Sequence, residues 1–429
     1  MHTNAAIIGV GQSAYTRRPE PGQSTHTFIR DAVVAALRDA EIDAHEIDGM
    51  ALASFSLAPD AAVDIAWKLG LSLRWLVQDT NGGSSAMNML GHALRGVESG
   101  AASAILVVGG DATGLGGYAK VAANFNIVTQ LHLAPLGHGG PNGVYALVTS
   151  RQMKSYGLQK SDYGQLAIAQ RAWAANNPYA VYRAPMTMEE YLAAPLVADP
   201  LSRYDCVPVV AGAQAIVIAH PDRCPPGRAP VRVRAHRASF NYDNQEGDGL
   251  QTGISTFADE LWQAAGVRPE DVDIASIYDD YPTMVLAQLN DLSMIPGNDL
   301  ARFARHDIGE RRFPLNTWGG MLSAGQPGGP AGGLNGISEG VLQLQHRAGA
   351  RQVKDARLAV TSGYGMTMYR YGGTAAAAIL ERMESTRNSY ARPSCPGPFS
   401  KQYCASRILR WVPGLVPLRF SPGTRESSW

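Results

Sequence analysis

The chain is short of charge: only 17% of its 429 residues are Asp, Glu, Lys or Arg, against about a quarter in soluble domains, while 45% are hydrophobic. What charge there is cancels. Lys plus Arg and Asp plus Glu each number 37, so no global field draws the chain to nucleic acid or to an anionic membrane. Long apolar runs are missing too. The stretch 101–108 falls far below the roughly 18 residues of a membrane span, and residues 1–10 lack the basic start and long apolar core of a signal peptide. These absences predict a soluble, cytoplasmic protein with no nucleic-acid and no membrane partner. Cysteine is scarce as well: Cys206, Cys224, Cys395 and Cys404 form no CxxC pair, which excludes a disulfide scaffold and points away from any metal site.

What the chain has in quantity is punctuation. Its 46 glycines and 26 prolines separate short strand-like and helix-like segments, the alternation of a layered α/β architecture. One segment is echoed. Residues 40–48 (AEIDAHEID) reappear in pattern at 265–273 (AGVRPEDVD), each following a helix-like stretch and preceding a strand-like one. After the first copy come a Gly-rich turn at 81–85, an amphipathic helix with Ala86, Leu90, Ala93, Leu94 and Val97 on one face, and a buried-strand run at 104–108. After the second come 316–333, a helix over 336–346 and a strand over 357–361. The economical reading is two similar α/β halves packed together, spanning 1–225, with a loop region at 111–200, and 226–383. Residues 384–429, rich in Ser, Arg and Pro without sustained periodicity, read as a loosely ordered appended tail.

Several motifs could carry chemistry. The near-fingerprint Gly9-Val10-Gly11 is followed by Arg17, Arg18, Pro19 and Pro21, which cannot start the helix a dinucleotide pyrophosphate needs. Ser84, in Gly82-Gly83-Ser84-Ser85, sits at a strand–turn–helix corner, either as a nucleophile or, as Ser85 also could, as a helix cap. His138 lies in a glycine loop and reads equally as an acid–base group or an ordinary loop histidine. The run Tyr278-Asp279-Asp280-Tyr281 places phenols and carboxylates where a strand ends and a helix begins; there Asp280 reads as a helix-dipole partner. The glycines at 325–333 and 363–365 bring backbone close to a substrate or a packed helix.

At these residues the sequence resembles the thiolase superfamily, most closely its sterol-carrier-protein-like branch of lipid-transfer-type thiolases, over about Asn4 to Arg382. The resemblance is carried by 82–94, by Asp205-Cys206 with 211–215, by 278–281, and by 316–320 leading into Gly325-Gln326-Pro327. It implies a duplicated αβαβα layered fold with two pseudo-equivalent halves. The family's nucleophilic cysteine falls on Gly83, and the histidine of its Gly-His-Pro motif on Gln326, which donates a hydrogen bond but cannot shuttle a proton. Tyr278 stands where thiolases carry an asparagine or, in this branch, a histidine. Cys206 lies in a segment that is structural in the family.

The resemblance therefore implies an acyl-CoA enzyme, an acyltransferase by family, that makes or breaks a carbon–carbon bond beside a CoA thioester by Claisen- or retro-aldol-type chemistry, without a covalent cysteine step. Tyr278, Tyr364, His138, Gln326 and Ser84 are the catalytic candidates. Gly83, Ser85, Tyr281, Gly325, Gly363 and Gly365 are the substrate-binding ones. The six lysines lie outside every motif, which disfavours a Schiff-base aldolase. No bound cofactor is expected; coenzyme A enters as the substrate thioester. Cysteine-less relatives commonly work with a small OB-fold partner bearing a zinc ribbon, and the family pairs as homodimers. The alternative is a non-catalytic lipid or acyl-CoA binding subunit of a larger complex.

Overall fold

A computed structural model describes residues 4–57, 61–113, 126–137 and 140–384. The tail expected at 384–429 falls, beyond its first residue, outside the described residues, as does His138.

Apolar runs such as 104–108 form strands buried along their whole length. The strands of the main sheet are β1 (Ala6–Gln12), β2 (Gly49–Ala53), β3 (Trp75–Asp79), β4 (Ala104–Asp111), β5 (Gly212–Ala219), β6 (Val231–Phe240), β7 (Ile274–Ser276), β8 (Leu358–Thr367) and β9 (Gly372–Arg382). They join in one nine-stranded sheet ordered β3-β2-β4-β5-β1-β6-β9-β8-β7. The main helices are α1 (Thr25–Ala40), α2 (Ala61–Leu69), α3 (Ser85–Glu98), α4 (Pro141–Tyr156), α5 (Lys160–Ala174), α6 (Ala258–Ala265), α7 (Pro282–Asp291) and α8 (Gly329–Leu344).

The echo in the sequence is an echo in space. β2 pairs in parallel with β3 and β4, and β7 pairs in parallel with β8 and, at Ala275, with Leu315. β4 and β8 each pair antiparallel with the strand that follows in the sheet, β5 and β9, which in turn pair antiparallel with β1 and β6. Read from either outer edge, the two halves therefore have the same order, meeting where β1 pairs with β6 at Ala6 and Ile7. The repeated segments match in detail. Glu41 and Gly266 end α1 and α6 with left-handed backbone, each is followed by a 3-10 turn, and each turn leads into β2 or β7.

The acids closing the two repeats do the same work. Asp48 accepts from the amides of Ser103 and Ala104 at 2.8 and 2.9 Å, at the start of β4. Asp273 accepts from those of Arg357 and Leu358 at 2.7 and 2.9 Å, at the start of β8.

Three apolar layers pack the sheet, and the middle one joins the halves. α1 and α2 cover one face of β1, β2, β4 and β5, with Phe28, Ile29, Val33 and Leu37 against Ile8, Leu52 and Leu106. α3 and α8 lie in the middle, where Leu90 and Leu94 share a core with Ile337 and Val341 and with strands of both halves. A second outer layer, including α4 to α7, covers the far face of β6 to β9. This is the expected αβαβα arrangement. α3 is buried over almost all of its first two turns rather than on a single face, because it has neighbours on both sides. Gly9 and Gly11 serve packing: a Cβ would come within 2.6 Å of Ala40 Cβ or 2.2 Å of the Ala36 amide on α1. Among the described residues no helix is long and apolar enough to cross a membrane.

Candidate active site

The cleft opens where strand ends of both halves meet the N-termini of α3 and α8. β3 ends at Asp79, and the turn Gly82–Ser84 carries the chain into α3. β7 ends early, at Ser276, because side chains take over its hydrogen bonds. Asn316 accepts from the Ile277 amide at 2.7 Å and donates to its carbonyl at 2.9 Å; Ser362 Oγ accepts from the Tyr278 amide at 3.2 Å. That handover frees Tyr278 from the ladder and aims it at the cleft. Gln326 reaches the same space from the segment between the short helix Gly320–Ala324 and α8. Gly83, Asp111, Tyr278, Asp280, Gln326 and Gly365 line it together with the apolar Phe55, Val209 and Met366.

At its centre Tyr278 lies against Gly83. A Cβ on Gly83 would be 2.4 Å from Tyr278 Cζ, 2.6 Å from its hydroxyl and 2.2 Å from the Tyr364 carbonyl. The space a nucleophilic side chain would need is filled by the phenol. Gln326 Nε2 donates to the Tyr278 hydroxyl at 3.1 Å and also to Asp280, and the hydroxyl donates to Asp280 Oδ2 at 3.3 Å. Burial, then the charge of Asp280, holds the phenol well above its ordinary pKa, so it stays protonated. Burial also pushes Asp280 up, to about 7, partly offset by the bond from Tyr278. A protonated phenol thus sits beside a carboxyl poised near neutrality.

The dipole-partner reading of Asp280 is corrected. The carboxylate at a helix start is Asp279, which accepts from the amides of Met321 and Leu322 at 3.0 and 3.3 Å, on the helix Gly320–Ala324 rather than on α7. Among the described residues, Asp280 bonds the cleft side chains Tyr278 and Gln326. Consecutive residues on an extended segment point opposite ways, which is how one acid turns into the fold and its neighbour out.

Of the residues singled out from the sequence, Gly83, Tyr278, Gln326 and Gly365 come together on the cleft wall. Ser84 is at the cap position of α3 yet makes no capping bond; its hydroxyl donates to the Asn81 carbonyl and to Thr374 Oγ1, at 3.2 and 2.8 Å, and is fully buried. The corner therefore exposes neither a nucleophile nor a cap. Ser85 is likewise fully buried. The Tyr364 hydroxyl turns to the Gly372 amide at 3.1 Å, behind the cleft, and only its carbonyl faces Gly83. Tyr281 stacks on Tyr145 at 4.8 Å and donates to Asn142 at 2.6 Å. Gly363 and Gly325 serve packing, against Met87 with the start of α3 and against Val210. Burial and Asp205 push the Cys206 thiol up to about 12, which keeps it a thiol at neutral pH.

Asp111 and Phe55 were missed. Asp111 ends β4 and is fully buried; burial pushes it up to about 6 despite bonds from Ser54, Phe55 and Ser56. An acid closing the buried run 104–110 was the signal available in the sequence.

The Thiolase C-terminal domain-like family matches residues 237–382. The 17-hydroxy-3-oxo-4-pregnene-20-carboxyl-CoA lyase of Mycobacterium tuberculosis is 28% identical over 382 residues, 84% of this chain and 97% of that protein. The steroid side-chain-cleaving aldolase of Thermomonospora curvata is 27% identical over 383 residues, 84% of this chain and 95% of that protein. Sterol carrier protein 2 of Gallus gallus aligns at 23% identity over 88% of this chain and 74% of its own length. In structure the chain superposes on the Ltp2-ChsH2(DUF35) aldolase with a TM-score of 0.75 at 24% identity, covering 89% of this chain and 99% of that one. The duplicated sheet and paired central helices are those of the thiolase fold, and these relatives make the chain similar to the sterol-carrier-protein-like branch of the thiolase superfamily.

Proposed function

We propose that the protein cleaves a β-hydroxyacyl-CoA by a retro-aldol reaction, releasing a carbonyl compound and a shorter acyl-CoA. The observation that carries this reading is the Tyr278 hydroxyl lying where a side chain of residue 83 would project, bonded to Asp280 and Gln326. Lyase and aldolase relatives that align over most of their length support it.

The chemistry follows from the protonation states. A retro-aldol step needs a group to take the β-hydroxyl proton, donors for the enolate oxygen, and a proton for the α-carbon. Asp280 takes the proton through Tyr278: the substrate hydroxyl gives its proton to the phenol oxygen as the phenol gives its own to the carboxylate. The Cα–Cβ bond breaks, its electron pair forms the enolate, and the hydroxyl carbon becomes a carbonyl. The same proton returns from Asp280 through Tyr278 to the α-carbon, so the site ends as it began. Gln326 Nε2 holds Tyr278 and Asp280 in this relay, and the backbone near Gly83 and Gly365 supplies dipoles for the enolate oxygen, worth about several kcal/mol where such donors are fixed in advance. A homodimer, a small OB-fold zinc-ribbon partner and a cytoplasmic location belong to the same proposal.

The test is to incubate the purified chain, alone and with an OB-fold zinc-ribbon protein, with β-hydroxyacyl-CoA and β-ketoacyl-CoA panels. Carbonyl product and shortened acyl-CoA are expected from the hydroxy series, and no CoA-dependent thiolysis from the keto series. Absence of cleavage under both conditions overturns the proposal.

A further inference from the structure

We propose that Phe55 is a specificity-determining residue of the cleft: its ring closes one end between Gly82 and Gly329 and sets how bulky an acyl thioester can reach Tyr278, with Asp111 as the residue that positions it. This rests on the preceding reading only in taking an acyl thioester as what enters.

The ring bridges the seam between the halves. Gly82 opens the turn before α3 and Gly329 opens α8. A Cβ on Gly329 would stand 2.9 Å from Phe55 Cε2, and one on Gly82 3.7 Å from Cζ. Glycine at 329 thus gives the ring its room. Among the described residues much of the rest of the wall is glycine or polar, so Phe55 is one of its few large apolar side chains. It is also half-exposed, unlike Tyr278 and Gln326 behind it.

A ring on a loose loop would set no size limit, and this loop is not loose. Asp111 Oδ1 accepts from Ser54 Oγ at 2.7 Å, the Phe55 amide at 2.9 Å, the Ser56 amide at 2.8 Å and Ser56 Oγ at 2.7 Å. A buried carboxylate is costly unless its oxygens are satisfied. Here the donors all come from three consecutive residues, so the carboxylate holds one short segment, and Phe55 is its middle member.

Binding tests this without relying on turnover. Kd is measured by calorimetry for two saturated thioesters that cannot undergo the cleavage, butyryl-CoA and an acyl-CoA bearing a polycyclic side chain, with the full chain, Phe55→Ala and Phe55→Trp. The ratio of bulky to short Kd is expected to fall at least tenfold in Phe55→Ala and to rise at least threefold in Phe55→Trp. Asp111→Ala should move it the same way as Phe55→Ala. Asp111→Asn keeps an oxygen for the same donors and should bring the ratio most of the way back to the parent's. Ratios within threefold of the parent in both Phe55 variants overturn the inference, even if Asp111→Ala fails to fold. A folded Asp111→Ala with the parent's ratio removes the positioning role. If the parent binds neither thioester, the acyl-CoA reading falls and this inference with it; if it binds both and the ratio does not move, this inference falls alone.

Discussion

The phenol of Tyr278 and the missing side chain of Gly83 are one structural fact: a Cβ at residue 83 would lie 2.6 Å from the Tyr278 hydroxyl. Glycine there admits the phenol, and the phenol fills what glycine leaves. Gly83→Cys should therefore fail to gain thiolysis, and Gly83→Ala should lose about 1–3 kcal/mol to overpacking. Since the Tyr364 carbonyl also stands 2.2 Å from that Cβ, trimming Tyr278 as well should recover only part of the loss. Chemical denaturation of the single and double variants reads this directly.

Tyr278→Phe keeps the ring against Gly83 and removes only the hydroxyl. Cleavage should fall by about 100-fold or more, the usual scale for an acid–base group. Stability should change by about 1 kcal/mol, the worth of the hydrogen bonds lost. Initial rates and thermal unfolding on the same preparation separate the two effects.

Asp280 gives the pH dependence a definite direction. Its folded pKa of about 7 lies above the ordinary carboxylate value, so between about pH 4 and 7 the folded chain holds a proton that the unfolded chain has released. Its contribution to stability must therefore decrease as pH rises through that window and level off above it. Activity should run the opposite way, rising toward pH 7 as the carboxylate becomes able to accept a proton. Asp280→Asn should make the stability trend shallower, leaving the share of the same sign that the raised Asp111 and Asp291 contribute, and abolish the rising limb of the rate profile.

Asp48 and Asp273 should behave as a matched pair. Each fixes the first amides of a neighbouring parallel strand, so replacing either by Ala should cost about 1–3 kcal/mol. Because they serve different halves, the double variant should show nearly additive loss by denaturant titration.

The fold was legible because its evidence is local and repeated. The segments 40–48 and 265–273 each contain a helix stop, a turn and an acid in the same order, and sequence records order well. The thiolase resemblance likewise pointed to Gly83, Tyr278 and Gln326, which share the cleft wall. Orientation was less legible. Nothing near Ser84 tells that its hydroxyl will find Thr374, and nothing near Tyr364 tells that its phenol will turn to Gly372. Asp279 and Asp280 differ in the sequence only by position. Which one enters the cleft depends on where β7 releases the chain, and Asn316 and Ser362 decide that from other elements.

The cleft takes Gly83 from the first copy and Tyr278, Asp280 and Gln326 from the second. The doubled unit therefore supplies more than bulk: one half brings a helix start and the buried Asp111 to the cleft, and the other brings a phenol, an amide and a second carboxyl. A chain severed between β5 and β6 would leave two fragments, each with an incomplete set of tools, and any revival on mixing would measure how well the old duplicates still recognise one another.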